Sequence, residues 1–296
     1  MPKKYQLSIR VPKGSLDYKF YKKSKMKING KEISLEILEK LKLIRGNYNQ
    51  PIKLKIITFK NDVANTSYIK IKKNFAEQLN IACDVHYLDE TKSSKDLRKE
   101  ISKISKEKNV KGVIIQLPIP NHLNKLMLIN AIPEKLDIDC LTYKNLGRFY
   151  QNKNTIMPPT ASALDYLIKK YNLILDNVLL IGQGELIGKP IAQYLINNHI
   201  KFININHKTS NLDILTQMSD VIITGAGVPN LIKFENVKKD TIIFDYSCNK
   251  LEKICGDCEI NQPFETKCSF FTPVPNGLGP IVVAELFNNL FKLLKD

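Results

Sequence analysis

The chain has 296 residues, of which 43% are hydrophobic and 25% charged, and its formal net charge is +16. This length and balance are typical of a globular protein of two domains, and no run of about 18 apolar residues exists to cross a membrane. The lysines are spread along the whole chain, without a zinc-finger spacing or an aromatic RNA-binding motif, so we expect no nucleic-acid partner. Their positive field would instead concentrate an anionic small substrate or cofactor.

Residues 1–25 are basic and lack the apolar core of a secretory signal. We expect a loosely packed or disordered extension on a cytoplasmic protein. An organelle transit peptide is the alternative, because Arg10 and several lysines lie in this segment.

The six cysteines are expected to be reduced thiols. Cys255 and Cys258 form a single C-x-x-C pair, whereas a four-thiolate zinc site needs two pairs that converge. The four histidines show no metal-binding spacing either. We therefore predict no metal site.

The first half of the chain alternates strand and helix. Apolar runs predict strands over 51–58, 83–88 and 110–118, and helical spacing predicts helices over 65–79 and 94–107. Such repetition implies a parallel sheet with helices on both faces. We assign residues 26–150 to a catalytic α/β domain to which residues 270–296 return.

The second half, residues 151–269, repeats the alternation and predicts a Rossmann-like, doubly wound nucleotide-binding domain. The fold class is therefore α/β with two domains and a cleft between them. The predicted elements are helices over 161–171, 191–197 and 281–294, and strands over 177–181, 202–205, 221–224 and 241–245.

A glycine loop lies between a predicted strand and helix of this second half. Its spacing is Gly182-x-Gly184-x-x-x-Gly188, one residue off the commonest dinucleotide fingerprint. Backbone N–H groups at such a helix start suit a phosphate. Glycines that only close a tight turn are the alternative.

Polar side chains in the first half suggest proton transfer. Tyr68 and Lys72 lie four residues apart and share one helix face, and an amine whose pKa is lowered by desolvation can act as a base. A solvated lysine beside a half-buried tyrosine is the alternative. Gln116 ends a buried strand, where ligands bind in open sheets, and Asp137 and Asp139 provide either a ligand contact or a turn.

The stretch from Thr272 to Pro280 contains three prolines and two glycines and leads into the last helix. Proline and glycine exclude regular structure there. A rigid apolar loop at a helix N-terminus offers free N–H groups to a ligand, although a plain strand-to-helix connection would have the same pattern.

From about Ile28 onward the chain resembles the bifunctional methylenetetrahydrofolate dehydrogenase/cyclohydrolase family. The motifs that carry the resemblance are Tyr68-x-x-x-Lys72, Gln116-Leu117-Pro118-Ile119-Pro120, Asp137-Ile138-Asp139, Asn145-Leu146-Gly147-Arg148, Pro158-x-Thr160, the Gly182 loop and Thr272–Pro280. It implies oxidation of 5,10-methylenetetrahydrofolate to the methenyl form with a nicotinamide cofactor, then hydrolysis to 10-formyltetrahydrofolate. It also suggests a homodimer formed through the nucleotide-binding domains.

The resemblance implies a role for each matching residue. Lys72 would be the catalytic amine, Gln116 would hydrogen-bond it, Tyr68 would pack on the folate, and Asp139 would bind the pterin edge. The other implied substrate-binding residues are Leu117, Pro118, Pro273, Pro275, Gly277 and Gly279. The implied cofactor-binding residues are Thr160, Gly182, Gln183, Gly184, Leu186, Ile187, Gly188, His207, Lys208, Gly225 and Gly227.

The chain departs from the family pattern mainly near the expected cofactor. Gln183-Gly184 replaces Arg-Ser, and His207-Lys208 replaces His-Ser, so Lys208 can supply a positive charge that the arginine no longer provides. We favour NADP over NAD for this reason. Cys140 and Asn276 each replace a glycine. Two alternatives stay open: a cyclohydrolase without dehydrogenase activity, and a basic nucleic-acid-binding or scaffold protein on the same fold.

Overall fold

Two parallel sheets organise the chain in this computed structural model, which describes residues 25–59, 63–250, 253–259 and 261–295. The predicted basic extension lies, up to residue 24, outside the described residues. Within the described part, no helix is both long and apolar enough to span a membrane.

The first half forms a three-stranded parallel sheet in the order β3-β2-β4 with helices on its faces. Its elements, with a short preceding strand, are β1 (Met26–Lys27), α1 (Gly30–Gly46), β2 (Lys53–Phe59), α2 (Val63–Gln78), β3 (Ala82–Leu88), α3 (Ser94–Ser105), β4 (Val110–Ile115), α4 (Lys125–Ile129) and α5 (Tyr143–Tyr150). The predicted strands and helices are therefore confirmed, except that β4 ends at Ile115 rather than at residue 118. Helices α1, α4 and α5 were not predicted.

The second half builds a six-stranded sheet in the order β1-β11-β8-β7-β5-β6, and all its strand pairs are parallel. Its elements are α6 (Pro159–Tyr171), β5 (Val178–Ile181), α7 (Gly188–Asn197), β6 (Phe202–Ile205), α8 (Leu212–Met218), β7 (Val221–Thr224), β8 (Ile242–Asp245), β9 (Asn249–Lys250), β10 (Ile254–Cys255), α9 (Gln262–Lys267), β11 (Phe270–Thr272) and α10 (Leu278–Leu293). This two-domain α/β architecture confirms the predicted fold class. Helix α7 begins at Gly188, not at residue 191 as predicted. Helix α10 begins at Leu278 rather than at residue 281, so the expectation that regular structure is excluded up to Pro280 was wrong; proline is tolerated in a first helical turn because its missing N–H has no partner within the helix there.

The larger sheet draws strands from both ends of the chain. Strand β1 pairs with β11, and β11 pairs with β8. The sheet thus continues to Thr272, past residue 269 where the sequence analysis placed the domain limit, and it also takes in Met26–Lys27. The division into 26–150 with 270–296 and 151–269 stays a prediction.

Helix α10 holds the two halves together. It packs against α1, α2 and α6, and Phe287 stacks on Phe75 of α2 with ring centroids 4.9 Å apart. The buried Asn289 amide donates to Ile138 O at 2.9 Å and to Met157 O at 2.8 Å. One apolar core therefore runs from α1 and α2 through α10 to α6 and fixes the halves relative to each other.

The loop between β11 and α10 packs closely on the start of α1. Gly30 N donates to Asn276 O at 2.7 Å, and a Cβ at Gly30 would lie 1.7 Å from Gly277 O. Asn276 has a φ of +72°, which is left-handed backbone that asparagine tolerates better than most residues. This explains how asparagine serves where the family pattern has glycine.

Replacing the exposed Asn276 separates the backbone requirement from side-chain contacts. We expect Asn276→Ala to lower the free energy of unfolding by about 1 kcal/mol, because alanine is strained in left-handed backbone. Asn276→Gly should stay within about 0.5 kcal/mol of the wild type. Urea unfolding followed by circular dichroism measures both, and equal stability of the alanine variant and the wild type would contradict the argument.

Candidate active site

A lysine–glutamine contact lies at the centre of the smaller domain. Lys72 projects from α2, and its Nζ donates to Gln116 Oε1 at 2.9 Å. Gln116 directly follows β4, and its own N–H donates to Ile57 O at 2.8 Å, which extends the strand ladder by one residue. The sheet thus sets the position of the amide, and the amide orients the amine. The structure therefore brings together two residues that the sequence analysis proposed as catalytic.

Burial lowers the pKa of Lys72 below the ordinary lysine value, although Asp139 and Cys83 oppose this effect. Burial likewise raises the pKa of Asp139, and the positive charge of Lys72 counteracts part of this rise. An amine and a carboxyl group in such surroundings can exchange protons with a bound molecule at lower energetic cost than fully ionised groups in water.

Cys83 is a neighbour of Lys72 that the sequence analysis did not identify. Its partly buried thiol lies on β3, and burial raises its pKa to about 11, so it stays a neutral thiol. The strand alternation that places Cys83 and Val85 on one face was the available signal. Nothing in the sequence showed that this face meets Lys72.

Asp137 fixes the turn that carries Asp139. Its buried carboxylate accepts hydrogen bonds from Thr142 N at 2.8 Å, Thr142 Oγ1 at 2.7 Å and Asn145 Nδ2 at 2.9 Å. Cys140, where the family pattern has glycine, is left-handed at a φ of +56°. The two carboxylates of this motif therefore differ: Asp137 holds the turn, and Asp139 faces the amine.

Tyr68 connects the two domains. Its phenol hydrogen-bonds the Cys248 thiol, which follows β8 of the larger sheet. Burial is the main cause that raises the pKa of Tyr68, and Cys248 adds to the rise, so the phenol stays protonated. The ring is still 39% exposed, which leaves a face for an aromatic ligand to stack on. Cys248 was not identified from the sequence either.

A cavity of about 450 Å³ lies between the domains. Leu117 and Pro118, predicted to bind substrate, line one wall, and Gly184, Leu186 and Ile187, predicted to bind the cofactor, line the other. The remaining lining residues are Ile119, Pro120, Asn121, Leu123, Lys125, Glu185 and Gly225. The predicted cleft is thus present, and the ion pair of Lys125 with Glu185 spans it.

The glycine loop allows very close backbone packing. A Cβ at Gly188 would lie 2.3 Å from Gly182 O, and Gly182 itself has a φ of +111°. Thr160 Oγ1 donates to Leu186 O at 2.8 Å, so the N-terminus of α6 supports the loop. At the start of α7, Lys189 N already donates to Gly184 O at 3.0 Å and Pro190 has no N–H, which leaves Gly188 N as the donor of the first helical turn for an anionic group. The close backbone packing of this cradle fits a dinucleotide.

Two neutral amides meet where β5 and β6 end. Asn206 Nδ2 donates to Gln183 Oε1 at 2.9 Å, and Lys208 N donates to Asn206 Oδ1 at 2.9 Å. His207 and Lys208 are exposed in the turn after β6. Asn206 was not identified from the sequence, although its place directly after the strand was the available signal.

The remaining predicted residues lie in two loops at carboxyl ends of strands. Gly225 and Gly227 follow β7, and a Cβ at Gly225 would lie 2.4 Å from Ile187 Cγ2. Of the predicted substrate residues in the loop before α10 and in its first turn, none lines the cavity between the domains. Those residues are Pro273, Pro275, Gly277 and Gly279. Among the described residues, no group of three or more metal-ligating side chains converges.

A buried amine in one domain, a glycine cradle that fits a dinucleotide in the other and a cavity between the two domains are typical of a two-domain α/β enzyme that uses a nucleotide cofactor. The catalytic-domain model of the tetrahydrofolate dehydrogenase/cyclohydrolase family matches residues 28–139, and its NAD(P)-binding-domain model matches residues 158–296. The chain therefore belongs to the tetrahydrofolate dehydrogenase/cyclohydrolase family.

Individual relatives agree with this assignment. The chain is 32% identical to the bifunctional protein FolD of Clostridium botulinum over 276 residues, which covers 91% of this chain and 98% of that protein. The crystal structure of the Campylobacter jejuni FolD dehydrogenase/cyclohydrolase superposes with a TM-score of 0.85 at 29% identity and covers 91% of this chain and 98% of that one. The Trypanosoma brucei enzyme, complexed with NADP and an inhibitor, shares the fold at a TM-score of 0.83 and 24% identity, with 91% and 97% covered.

The environment of Lys72 predicts its titration. Because burial disfavours the ammonium form, the Lys72 side chain should lose its proton at a pH below the ordinary lysine range. The unfolded chain then binds more protons than the folded one, so this group's contribution to stability rises with pH until unfolded lysine also deprotonates. A ¹³C NMR titration of labelled lysine, with the resonance assigned by Lys72→Met, measures the midpoint. A midpoint at or above the ordinary value would contradict the desolvation argument.

Proposed function

We propose that this chain oxidises 5,10-methylenetetrahydrofolate to the methenyl form with NADP and hydrolyses that product to 10-formyltetrahydrofolate. The observation that carries the proposal is the Lys72–Gln116 contact, with Asp139 beside it, in the domain that faces the glycine loop. Both reactions act on the same folate carbon, so a single cleft suits both.

The residues of the smaller domain would hold the folate. Asp139 would accept hydrogen bonds from the donor edge of the pterin, since a carboxylate is an acceptor. The exposed face of Tyr68 would stack on the aromatic rings of the substrate. Leu117 and Pro118 would provide apolar contact on the wall of the cavity, and the loop with Pro273, Pro275, Gly277 and Gly279 is proposed to complete the pocket.

In the hydrolysis, Lys72 would act as the base. As a neutral amine it takes a proton from the water that adds to the methenyl carbon, while Gln116 holds the amine in place. The bond from that carbon to N5 then breaks as the hydroxyl proton moves to N5. Lys72 finally releases the first proton to solvent. The lowered pKa of Lys72 favours the neutral form that this step needs.

In the oxidation, the bound dinucleotide supplies a ring that accepts a hydride from the folate methylene carbon. The protein's contribution is placement. Gly182 and Gly188 would let the backbone approach the pyrophosphate of the cofactor, and Gly184, Leu186, Ile187 and Gly225 line the cavity between the domains. Thr160 supports the loop from α6, and Gly227, with a φ of +72°, shapes the neighbouring loop.

Replacing Lys72 tests the function itself. We expect the wild type to form methenyl product with a dinucleotide and to hydrolyse it, and Lys72→Met to lose at least a hundredfold in hydrolysis, because base catalysis typically contributes about 10² to 10⁴. Absorbance of the methenyl compound follows both reactions.

Lys73→Met is the matched control, since Lys73 is the exposed neighbour on the same helix, and it should keep near-normal hydrolysis. Near-normal hydrolysis by Lys72→Met would overturn the role of the amine. Hydrolysis by the wild type without any dinucleotide-dependent oxidation would leave only the cyclohydrolase alternative.

The preference for NADP rests on charge at the end of β6. Asn206 occupies the place where a carboxylate commonly binds the ribose of NAD, so no negative charge there repels a 2′-phosphate. Gln183 is engaged by Asn206 and is neutral, which leaves Lys208, together with His207, as the cationic candidate in the adjacent turn.

Lys208→Ala tests this preference. One charge-assisted hydrogen bond contributes about 1.5–3 kcal/mol, so the ratio of kcat/KM for NADP over NAD should fall by roughly ten- to a hundredfold in the variant. Lys99→Ala, a charge change on α3 of the other domain, should leave the ratio unaltered. A wild type that prefers NAD, or a ratio that ignores the substitution of Lys208, would show that the 2′-position is recognised elsewhere.

We further propose a cytoplasmic homodimer. The six cysteines are all free, which supports a reducing compartment. Strand β6 is an outer strand of the larger sheet, and Ile196 and Ile203 expose 55% and 54% of their surface beside it. Pairing of this edge with a second copy would cover them, and light scattering that gives a monomer mass would exclude the dimer.

A further inference from the structure

One buried carboxylate, Asp257, holds the loop that follows β7. The Asp257 side chain is fully buried and lies just after β10. Its Oδ2 accepts hydrogen bonds from Thr224 Oγ1 at 2.6 Å and Ala226 N at 2.8 Å. Its Oδ1 accepts from Val228 N at 2.8 Å and from Asn249 Nδ2 at 3.3 Å.

The loop depends on hydrogen bonds for its conformation: besides the bonds to Asp257, Gly227 N donates to Ser247 Oγ at 3.2 Å and Gly225 N donates to Ile181 O at 2.9 Å. Ala226, Gly227 and Val228 are exposed, so burial of their side chains does not order the backbone. Ala226 and Val228 both point their N–H groups at Asp257, and Gly225, at the start of the same loop, lines the cavity between the domains. A carboxylate suits this task, since its two oxygens together accept all four bonds.

A second buried carboxylate, that of Asp245, lies near Asp257. Asp245, also buried, accepts from Ser247 N at 3.0 Å and Cys258 N at 2.9 Å. A Cβ at Gly256 would lie 2.1 Å from Asp245 Oδ2, so only glycine fits between them. Burial, with the nearby charge of Asp257, raises the pKa of Asp245 to about 7. Near neutral pH Asp245 is therefore partly protonated, which reduces its repulsion of Asp257.

We propose that Asp257 is a positioning residue for the dinucleotide, because it fixes the backbone of residues 224–228 in the conformation that meets the cofactor. This role rests on the proposed function. Asp257 also holds a second segment, because its fourth hydrogen bond comes from Asn249. The residue before Asn249, Cys248, contacts Tyr68 of the smaller domain. Asp257 therefore fixes two segments at once: the loop proposed to meet the cofactor, and the segment after β8 that carries Cys248 and Asn249.

Asp257→Asn tests the role with almost no change in volume. The amide keeps one acceptor oxygen and places an NH₂ group against two donors, so the Kd for NADP, measured by titration calorimetry, should rise at least tenfold. The loss of affinity should exceed the loss of dinucleotide-free methenyl hydrolysis at least fivefold. Hydrogen exchange should show faster exchange at Ala226 and Val228 while β5 and β7 stay protected.

Asp137→Asn is the matched control, because Asp137 holds a turn of the other domain with the same kind of bonds. It should show the reverse pattern, with hydrolysis reduced more than NADP affinity. Should Asp257→Asn fail to fold, Thr224→Val removes one of the four bonds and should raise the Kd two- to fivefold.

The outcomes separate the two proposals. A wild type that binds NADP, with an Asp257→Asn variant that binds it equally well, would overturn the positioning role alone. The same holds if hydrolysis and affinity fall in parallel, since that is the mark of general destabilisation. A wild type that binds no dinucleotide would overturn the proposed function and this role together.

Discussion

Helix α10 is the constraint on which the geometry of the cleft depends. Each sheet could bury its own helices, but α10 packs on α1 and α2 of one half and on α6 of the other. The Asn289 amide reinforces this contact by donating to Ile138 O and Met157 O, one on either side of the junction. Since unpaired buried carbonyls are costly, the turn that carries Asp139 cannot shift without losing this bond.

The chemistry follows from where this packing places charge. Lys72 and Asp139 share a poorly solvated site, where burial disfavours the charged form of each group. Asp137 and Asp257 are also buried carboxylates, yet each is surrounded by N–H and O–H donors. Hydrogen-bonded carboxylates thus fix loops, whereas the carboxyl group of Asp139, whose pKa burial raises, is the one that we propose contacts the substrate.

Local signals in the sequence predicted most of the fold because strands of a parallel sheet are buried apolar runs. The strand predicted at 202–205 agrees with β6 residue for residue. Helix α1 was missed although its local signals are present: Asn29 caps the N-terminus by accepting from Lys31 N and Glu32 N, and the buried residues Ile33, Ile37, Leu38 and Leu41 recur at helical spacing. Strand β11 has only three residues, and its membership of the larger sheet is set by pairing with β8, which no local pattern records.

The same distinction applies to the site. Lys72 and Gln116 carried recognisable motifs, and their contact followed from the fold. Cys83, Asn206, Cys248 and Asp257 enter through contacts between segments that are far apart in sequence, so spacing alone could not identify them. Asn276 and Cys140 looked like defects beside the family pattern, but both adopt left-handed backbone, so the backbone requirement is met without glycine.

The ion pair of Lys125 with Glu185 has a kinetic meaning. Both side chains remain partly exposed, at 37% and 52%, and an exposed pair contributes only about 0–1 kcal/mol. That is close to the thermal energy, so this contact can break and re-form many times during one catalytic cycle. The ion pair therefore does not hold the cleft closed. Dissolved salt weakens the attraction between the two charges further, because the Debye length is about 8 Å at physiological ionic strength.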